Sequence, residues 1–375
     1  MASRSNSLGT QHRLSWKGRV ALLAFGLLLT AVVLEAGLRV SAALSNPAAR
    51  EGWSAAQAAS GKYWALYNPD LGYRQNPGFG DFNSDGLRDH EIGPKGDRFR
   101  ILLLGDSIAV YGDTVDDTFV GHLRATLRAN PAFNQTDVID AGMKGYTNYQ
   151  EIVYLKKYGL KFQPDLVGVE FCLNDLFKFL QAFRIENGHL VPGTYEYSKE
   201  ATQGAPSGFS RLANKSYLVR WLRTNLPVAA KAAEWHTTNG FSFDYKLDVR
   251  TAWQDKPWED IERQLGELAG LSRQHHFGTF VAVVPMAVQY RADYLARDRD
   301  YVLKPQRKLR EICQQLGIPF YDLYPDMNPG MFVDDGMHLN KAGREAVGQK
   351  LAAFLAQAQP LTEGSSGRTL KERAR

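Results

Sequence analysis

An apolar run of strand length, Phe99-Arg100-Ile101-Leu102-Leu103-Leu104, ends abruptly in Gly105-Asp106-Ser107, and a helical pattern begins at Phe119. A continuous apolar run bounded by turn residues reads as a strand buried on both faces. Such a strand has to lie in a sheet covered by helices, and the rest of the chain obeys that demand. From Phe119 to Ala129 the residues Phe119, Val120, Leu123 and Leu127 recur at helical spacing. A short strand is predicted over Val138–Ala141, a helix over Asn148–Tyr158 and, after Pro164-Asp165, a third strand over Leu166–Phe171. The alternation resumes with a helix over Glu259–Gln274 and a strand over Phe280–Pro285. A helix over Pro305–Leu316, a strand over Pro319–Asp322 and a last helix over Lys341–Ala356 complete it. Strands separated by helices predict an α/β chain with a parallel sheet covered on both faces. About five parallel strands in a three-layer α/β/α sandwich is the expected core.

In an open parallel sheet, ligands sit just beyond the carboxyl ends of the strands, which presents Ser107 to a cleft. Gly105 lets the chain turn where a Cβ would be costly, and Asp106 can bond to the turn backbone. Taken alone, the tripeptide is equally an ordinary strand-ending turn. A serine hydroxyl becomes a nucleophile only when a base takes its proton, and that base needs an orienting partner. Asp335 and His338 stand three apart in a loop before the last helix. A tight bend there can bring the carboxylate to Nδ1 and leave Nε2 for Ser107. Asp-x-x-His also arises by accident, so two further strand ends matter. Gly145, after the second strand, can offer a backbone N–H. Asn174, after the third, can offer a side-chain amide to the negative charge that acyl transfer develops.

These blocks resemble the SGNH, or GDSL-type, hydrolase superfamily in its membrane-anchored bacterial form. Block one is Gly105-Asp106-Ser107, and block two is Val138-Ile139-Asp140-Ala141-Gly142-Met143-Lys144-Gly145. Block three reads Cys172-Leu173-Asn174-Asp175, with Cys172 where the family has glycine, and the last is Asp335 to His338. The likeness spans roughly Phe99 to Ala356. It implies a flavodoxin-like sandwich, a catalytic triad of Ser107, His338 and Asp335, and no cofactor or metal. It also implies an oxyanion hole from the N–H of Ser107, the N–H of Gly145 (Gly142 as fallback) and the Asn174 amide. The implied activity is an esterase that cleaves an O-acyl ester, acetyl foremost, on a small molecule, an extracytoplasmic glycan or a lipid. An O-acetyltransferase acting on a cell-surface or exopolysaccharide glycan uses the same triad and stands second. A glycan-binding protein without chemistry stands third. An α/β-hydrolase elbow would read Gly-x-Ser-x-Gly, yet Ala109 occupies the last position. Metal hydrolysis lacks a His-Glu-x-x-His cluster, and His275-His276 reads as a solvated helix end.

Composition narrows the partners. The net charge of +5 is concentrated at the ends: Arg4, Arg13, Lys17 and Arg19 precede residue 20, and Arg368, Lys371, Arg373 and Arg375 against Glu372 close the chain. Removing these leaves the body at −2, with no basic face for nucleic acid. Cys172 and Cys313 are the only cysteines, far apart and expected as buried free thiols. The triad histidine pairs better with Ser107 than with Cys172.

Val20 to Leu34 is an uncharged run of fifteen residues after a basic flank. A bilayer span takes roughly 20, so fifteen is short. Glu35 and Arg39, four apart, can pair on one helix face, and Val40 to Leu44 then extends the stretch. A signal anchor is the favoured reading, ahead of a cleaved signal peptide cut near Ser41-Ala42-Ala43 and a soluble buried helix. Both leading readings export the remainder, because the basic flank stays inside. The expected organisation is residues 1–44 as flank and anchor, 45–97 as linker and lead-in segment, 98–359 as the catalytic domain and 360–375 as a disordered basic tail. Within 45–97, residues 73–89 are rich in turn signals and predict a hairpin or edge strand. An aromatic-rich insertion, 177–258, carries Leu218, Trp221 and Leu222 on one helical face. It reads equally as a lid over the cleft or a separate decoration.

Overall fold

The computed structural model describes residues 15–45, 65–68, 70–77, 79–176, 183–186, 189–192, 216, 218, 241, 243 and 249–357. The chain divides into two units, residues 1–50 with 206–232, and residues 51–205 with 233–375.

In the first unit, α1 runs from Trp16 to Ser45. Its apolar part, Trp16–Ser41, spans 26 residues, or about 40 Å at the α-helical rise. A hydrocarbon core is about 30 Å thick, so this helix is long and apolar enough to cross a membrane. The fifteen-residue run understates the span because the helix continues through Glu35 and Arg39. Arg39 Nε donates to Glu35 Oε1 at 2.7 Å. The other carboxylate oxygen accepts from Ser216 Oγ at 2.8 Å and from the N–H of Leu218 at 2.7 Å.

The second unit opens with an antiparallel hairpin, β1 (Ala65–Asn68) and β2 (Gly72–Gln75), which lies largely ahead of the predicted 73–89 segment: only Tyr73–Gln75 of that segment is strand, and its other described residues are turn or irregular. The core elements then follow in order: β3 (Phe99–Leu104), α2 (Phe119–Ala129), β4 (Thr136–Asp140), α3 (Asn148–Tyr154) and β5 (Leu166–Phe171). After a small hairpin, β6 (Phe183–Glu186) and β7 (His189–Pro192), come α4 (Pro257–His275), β8 (Gly278–Val283) and α5 (Ala292–Val302). The chain ends with α6 (Lys304–Leu316), β9 (Phe320–Asp322) and α7 (Lys341–Gln357).

Five strands form one parallel sheet in the order β4-β3-β5-β8-β9. Alternate residues of β3 feed two separate cores. Leu102 and Leu104 join Val167, Val169, Leu265 and Leu309 on one face; Ile101 and Leu103 join Leu123, Phe280, Val347 and Leu351 on the other. That is the three-layer α/β/α sandwich. The helix predicted to Tyr158 ends as an α-helix at Tyr154 and continues as a π-turn over Leu155–Gly159. Helix α5 was not foreseen, because Ala292–Val302 is largely polar and buries only Tyr294 and Val302. Both cysteines are free and buried, and His275 and His276 are exposed. Of the aromatic-rich insertion, Phe241 and Phe243 stack on each other and Phe243 stacks on Trp253, so these rings are core. Residues 46–62, the tail at 360–375 and most of the insertion read as a lid over the cleft lie outside the described residues.

Candidate active site

Strand β3 leads to Ser107 and lies between β4 and β5. The chain runs from β3 to one side and later returns to the other, which makes the carboxyl end of β3 a topological switch point. Ser107 is therefore flanked by the turn after β4, which carries Gly145, and the turn after β5, which carries Asn174. Asp335 and His338 arrive from the loop after β9.

That loop is bent tightly by its own backbone. Val333 N–H donates to His338 O, Gly336 N–H donates to Val333 O, both at 2.9 Å, and Gly336 takes a positive φ of 71°. Asp335 Oδ1 then accepts from the N–H of Met337 at 2.8 Å and of His338 at 2.9 Å. Its Oδ2 lies 2.5 Å from His338 Nδ1. Partial burial pushes the Asp335 carboxyl up, but the bonds from His338 and these two N–H groups outweigh it and hold the group below the usual range. On the other side of the ring, His338 Nε2 lies 2.8 Å from Ser107 Oγ. Tyr111 stacks on the imidazole, with ring centroids 4.7 Å apart and planes at 26°.

Asn174 Nδ2 donates to Asp106 Oδ2 at 2.9 Å, and Asp106 Oδ1 accepts from the N–H of Ile108 at 2.7 Å. Asp106 thus fastens the first turn to the third, and an amide has a second hydrogen to offer. Gly142 and Gly145 separate clearly. The N–H of Gly142 is spent on Asp140 Oδ1 at 2.9 Å, whereas those of Ser107 and Gly145 make no hydrogen bond among the described residues. Gly145 has φ +74°, and a Cβ there would meet Tyr73 Oη at 3.0 Å. Cys172 replaces the family's glycine without strain: its φ is not positive, its N–H donates to Asp175 Oδ2 at 2.8 Å, and the buried side chain joins the core. Burial pushes its thiol well up, away from a reactive thiolate.

Beneath the turns lies a feature the motifs do not announce. Asp106, Glu151, Glu170 and Asp175 are all buried. Burial raises the pKa of each, and mutual repulsion adds to it in Glu151, Glu170 and Asp175. Glu170 interrupts an otherwise apolar strand, and that interruption was the one available signal. Tyr111 left none, because its stacking partner comes from the far end of the chain.

The profile of the GDSL-like Lipase/Acylhydrolase family matches residues 103–346. No curated protein sequence matches the chain. Among solved structures, the lipase/acylhydrolase from Enterococcus faecalis is 20% identical, with 68% of this chain and 94% of that one covered and a TM-score of 0.38. TesA is 15% identical, with 70% and 99% covered and a TM-score of 0.40. A catalytic mutant of Axe2, an acetylxylan esterase from Geobacillus stearothermophilus, is 13% identical, with 68% and 93% covered and a TM-score of 0.39. A match over more than half the sequence, on the sheet edge where the turns after β3, β4, β5 and β9 meet, identifies the chain as a member of the GDSL-like lipase/acylhydrolase family, a hydrolase acting on ester bonds.

Proposed function

We propose that the chain is a membrane-tethered serine esterase that removes an O-acyl group, acetyl foremost, from an extracytoplasmic glycan or lipid. The observation that carries the reading is the relay from Ser107 Oγ through both nitrogens of His338 to Asp335, with 2.8 Å and 2.5 Å at its two links. Ser107 Oγ attacks the ester carbonyl carbon as His338 Nε2 takes its proton, and Asp335 steadies the imidazolium. The carbonyl oxygen becomes an oxyanion facing the N–H groups of Ser107 and Gly145 and the Asn174 amide. Collapse breaks the C–O bond, and the leaving alcohol takes the proton from His338. Water, deprotonated by the same nitrogen, then attacks the acyl-serine, and the acid leaves as Ser107 regains its proton.

The basic residues Arg4, Arg13, Lys17 and Arg19, ahead of the apolar run, support an amino terminus on the cytoplasmic side and the catalytic domain, residues 98–359 with the insertion 177–258, outside. The test uses the full chain in detergent with a fluorophosphonate probe. Labelling is expected in the wild type and absent in Ser107→Ala; labelling that persists in a folded Ser107→Ala protein removes the assignment. Turnover of an acetyl ester with and without oligosaccharide separates the two reactions, since acetyl appearing on the sugar would replace hydrolysis by transfer.

A further inference from the structure

A cavity of about 110 Å³ lies between edge strand β4, helix α2 and the segment around Asp89 to Pro94. That is roughly the space of three to four liquid waters. Arg98, Arg124 and Arg128 line it together with Asp89, Glu91 and Asp137, so the charges balance on paper. The bonds break the balance. Asp89 is engaged by Arg124 and by the N–H of Asp140 at 2.8 Å. Glu91 accepts from Ser84 N–H at 2.8 Å and Oγ at 2.6 Å, and Asp137 accepts from Arg100 Nε at 3.0 Å. His90 is likewise taken, by Asp116 at 2.8 Å.

The cations keep capacity. Arg124 is only 4% exposed; its Nε and Nη2 reach Val138 O at 3.2 and 3.1 Å. Its Nη1 has no hydrogen-bond partner among the described residues and stands in a long ion pair with Asp116 Oδ1 at 3.9 Å. A buried guanidinium with an unmet N–H is costly. The side chains of Arg98 and Arg128, both exposed, make no hydrogen bond or ion pair among the described residues, although the charge of Arg128 acts on Asp116. Two exposed arginines with unbonded side-chain donors, beside the buried guanidinium of Arg124, suit a compact oxyanion, for which the guanidinium fork is well shaped.

We propose that this cavity binds a single phosphate-sized oxyanion, free or as a phosphate monoester. The site is separate from the Ser107 relay, and its test needs no turnover. Calorimetric titration of the full chain in detergent with inorganic phosphate, at ionic strength held constant with chloride, is expected to show saturable one-to-one binding. Arg98→Gln/Arg128→Gln, two exposed positions, is expected to weaken it at least about tenfold while the phosphate-free melting temperature stays unchanged. A parallel titration with sn-glycerol 3-phosphate separates the sources: binding of both ligands supports an esterified phosphate, and binding of phosphate alone supports the free ion. No saturable binding of either, or equal affinity in the double variant, overturns the proposal.

Discussion

Glu170 Oε2 stands 2.7 Å from the place a Cβ would occupy on Gly105, and Ala109 Cβ stands 3.1 Å from it. The turn that presents Ser107 is therefore closed against a buried carboxyl from the neighbouring strand. Gly105 lies outside the left-handed region, so the Cβ that the sequence reads as costly there is excluded by close approach and not by backbone conformation.

Gly105→Ala is expected to lose about 1–3 kcal/mol through overpacking and to slow turnover by displacing Ser107. Urea denaturation beside ester hydrolysis checks it. Wild-type stability in the variant would remove the close approach as the reason for glycine.

Glu151 governs a pH effect. Neither of its carboxyl oxygens has a hydrogen-bond partner among the described residues, and burial, then Glu170 and Asp106, push its pKa well up. The folded state thus keeps a proton that the unfolded chain releases above the ordinary carboxylate range. Its contribution to stability is whole below that range and is lost as pH rises toward the folded pKa. Glu151→Gln cannot titrate. Its stability is expected to fall less steeply than wild type as pH rises above the ordinary carboxylate range, by up to about 1.4 kcal/mol per pH unit, the slope for one proton. Denaturation curves above that range give the two slopes, and identical slopes would count against proton uptake by Glu151.

Asn174→Ala is expected to lower kcat by roughly 10²–10³ with little change in KM, the loss typical of one oxyanion donor. Steady-state kinetics on an acetyl ester give the split. An unchanged kcat would take the amide out of the reaction and leave it as a tie to Asp106.

Tyr111 holds one face of the His338 ring, and the Arg344 guanidinium lies 5.9 Å from the tyrosine ring centre. Arg344 is itself fixed by Asp117 and by Leu339 O. A stacked pair contributes about 0.5–1.5 kcal/mol. Tyr111→Ala is accordingly expected to reduce kcat/KM by about 2- to 12-fold, and Tyr111→Phe to keep most of it. Fluorophosphonate labelling rates should follow the same order; equal rates in all three proteins would show that the ring does not position the imidazole.

Helix α2 was readable to the residue because its apolar stripe is regular and Thr118 caps it, accepting from the N–H of Gly121 at 3.0 Å. Strand β5 was readable because an apolar run after Pro164-Asp165 has little alternative. Helix α5 escaped because it packs only two buried side chains, and a polar helix with so little apolar stripe has no period to detect.

By itself the sequence determined the alternation that makes the parallel sheet, the strand ends that carry Ser107, Gly145 and Asn174, and the paired Asp335 and His338. Those are short-range properties: a hydrophobic period, a turn residue, a spacing of three. Tertiary structure alone decided that four carboxyl groups are buried together under the site and that Gly142 spends its N–H on Asp140. It also decided that Tyr111 stacks on His338 and that Arg124 Nη1 is buried without a hydrogen bond among the described residues. Burial and contact between distant residues set protonation and hydrogen-bond capacity, and no local pattern encodes which residues the fold will bring together.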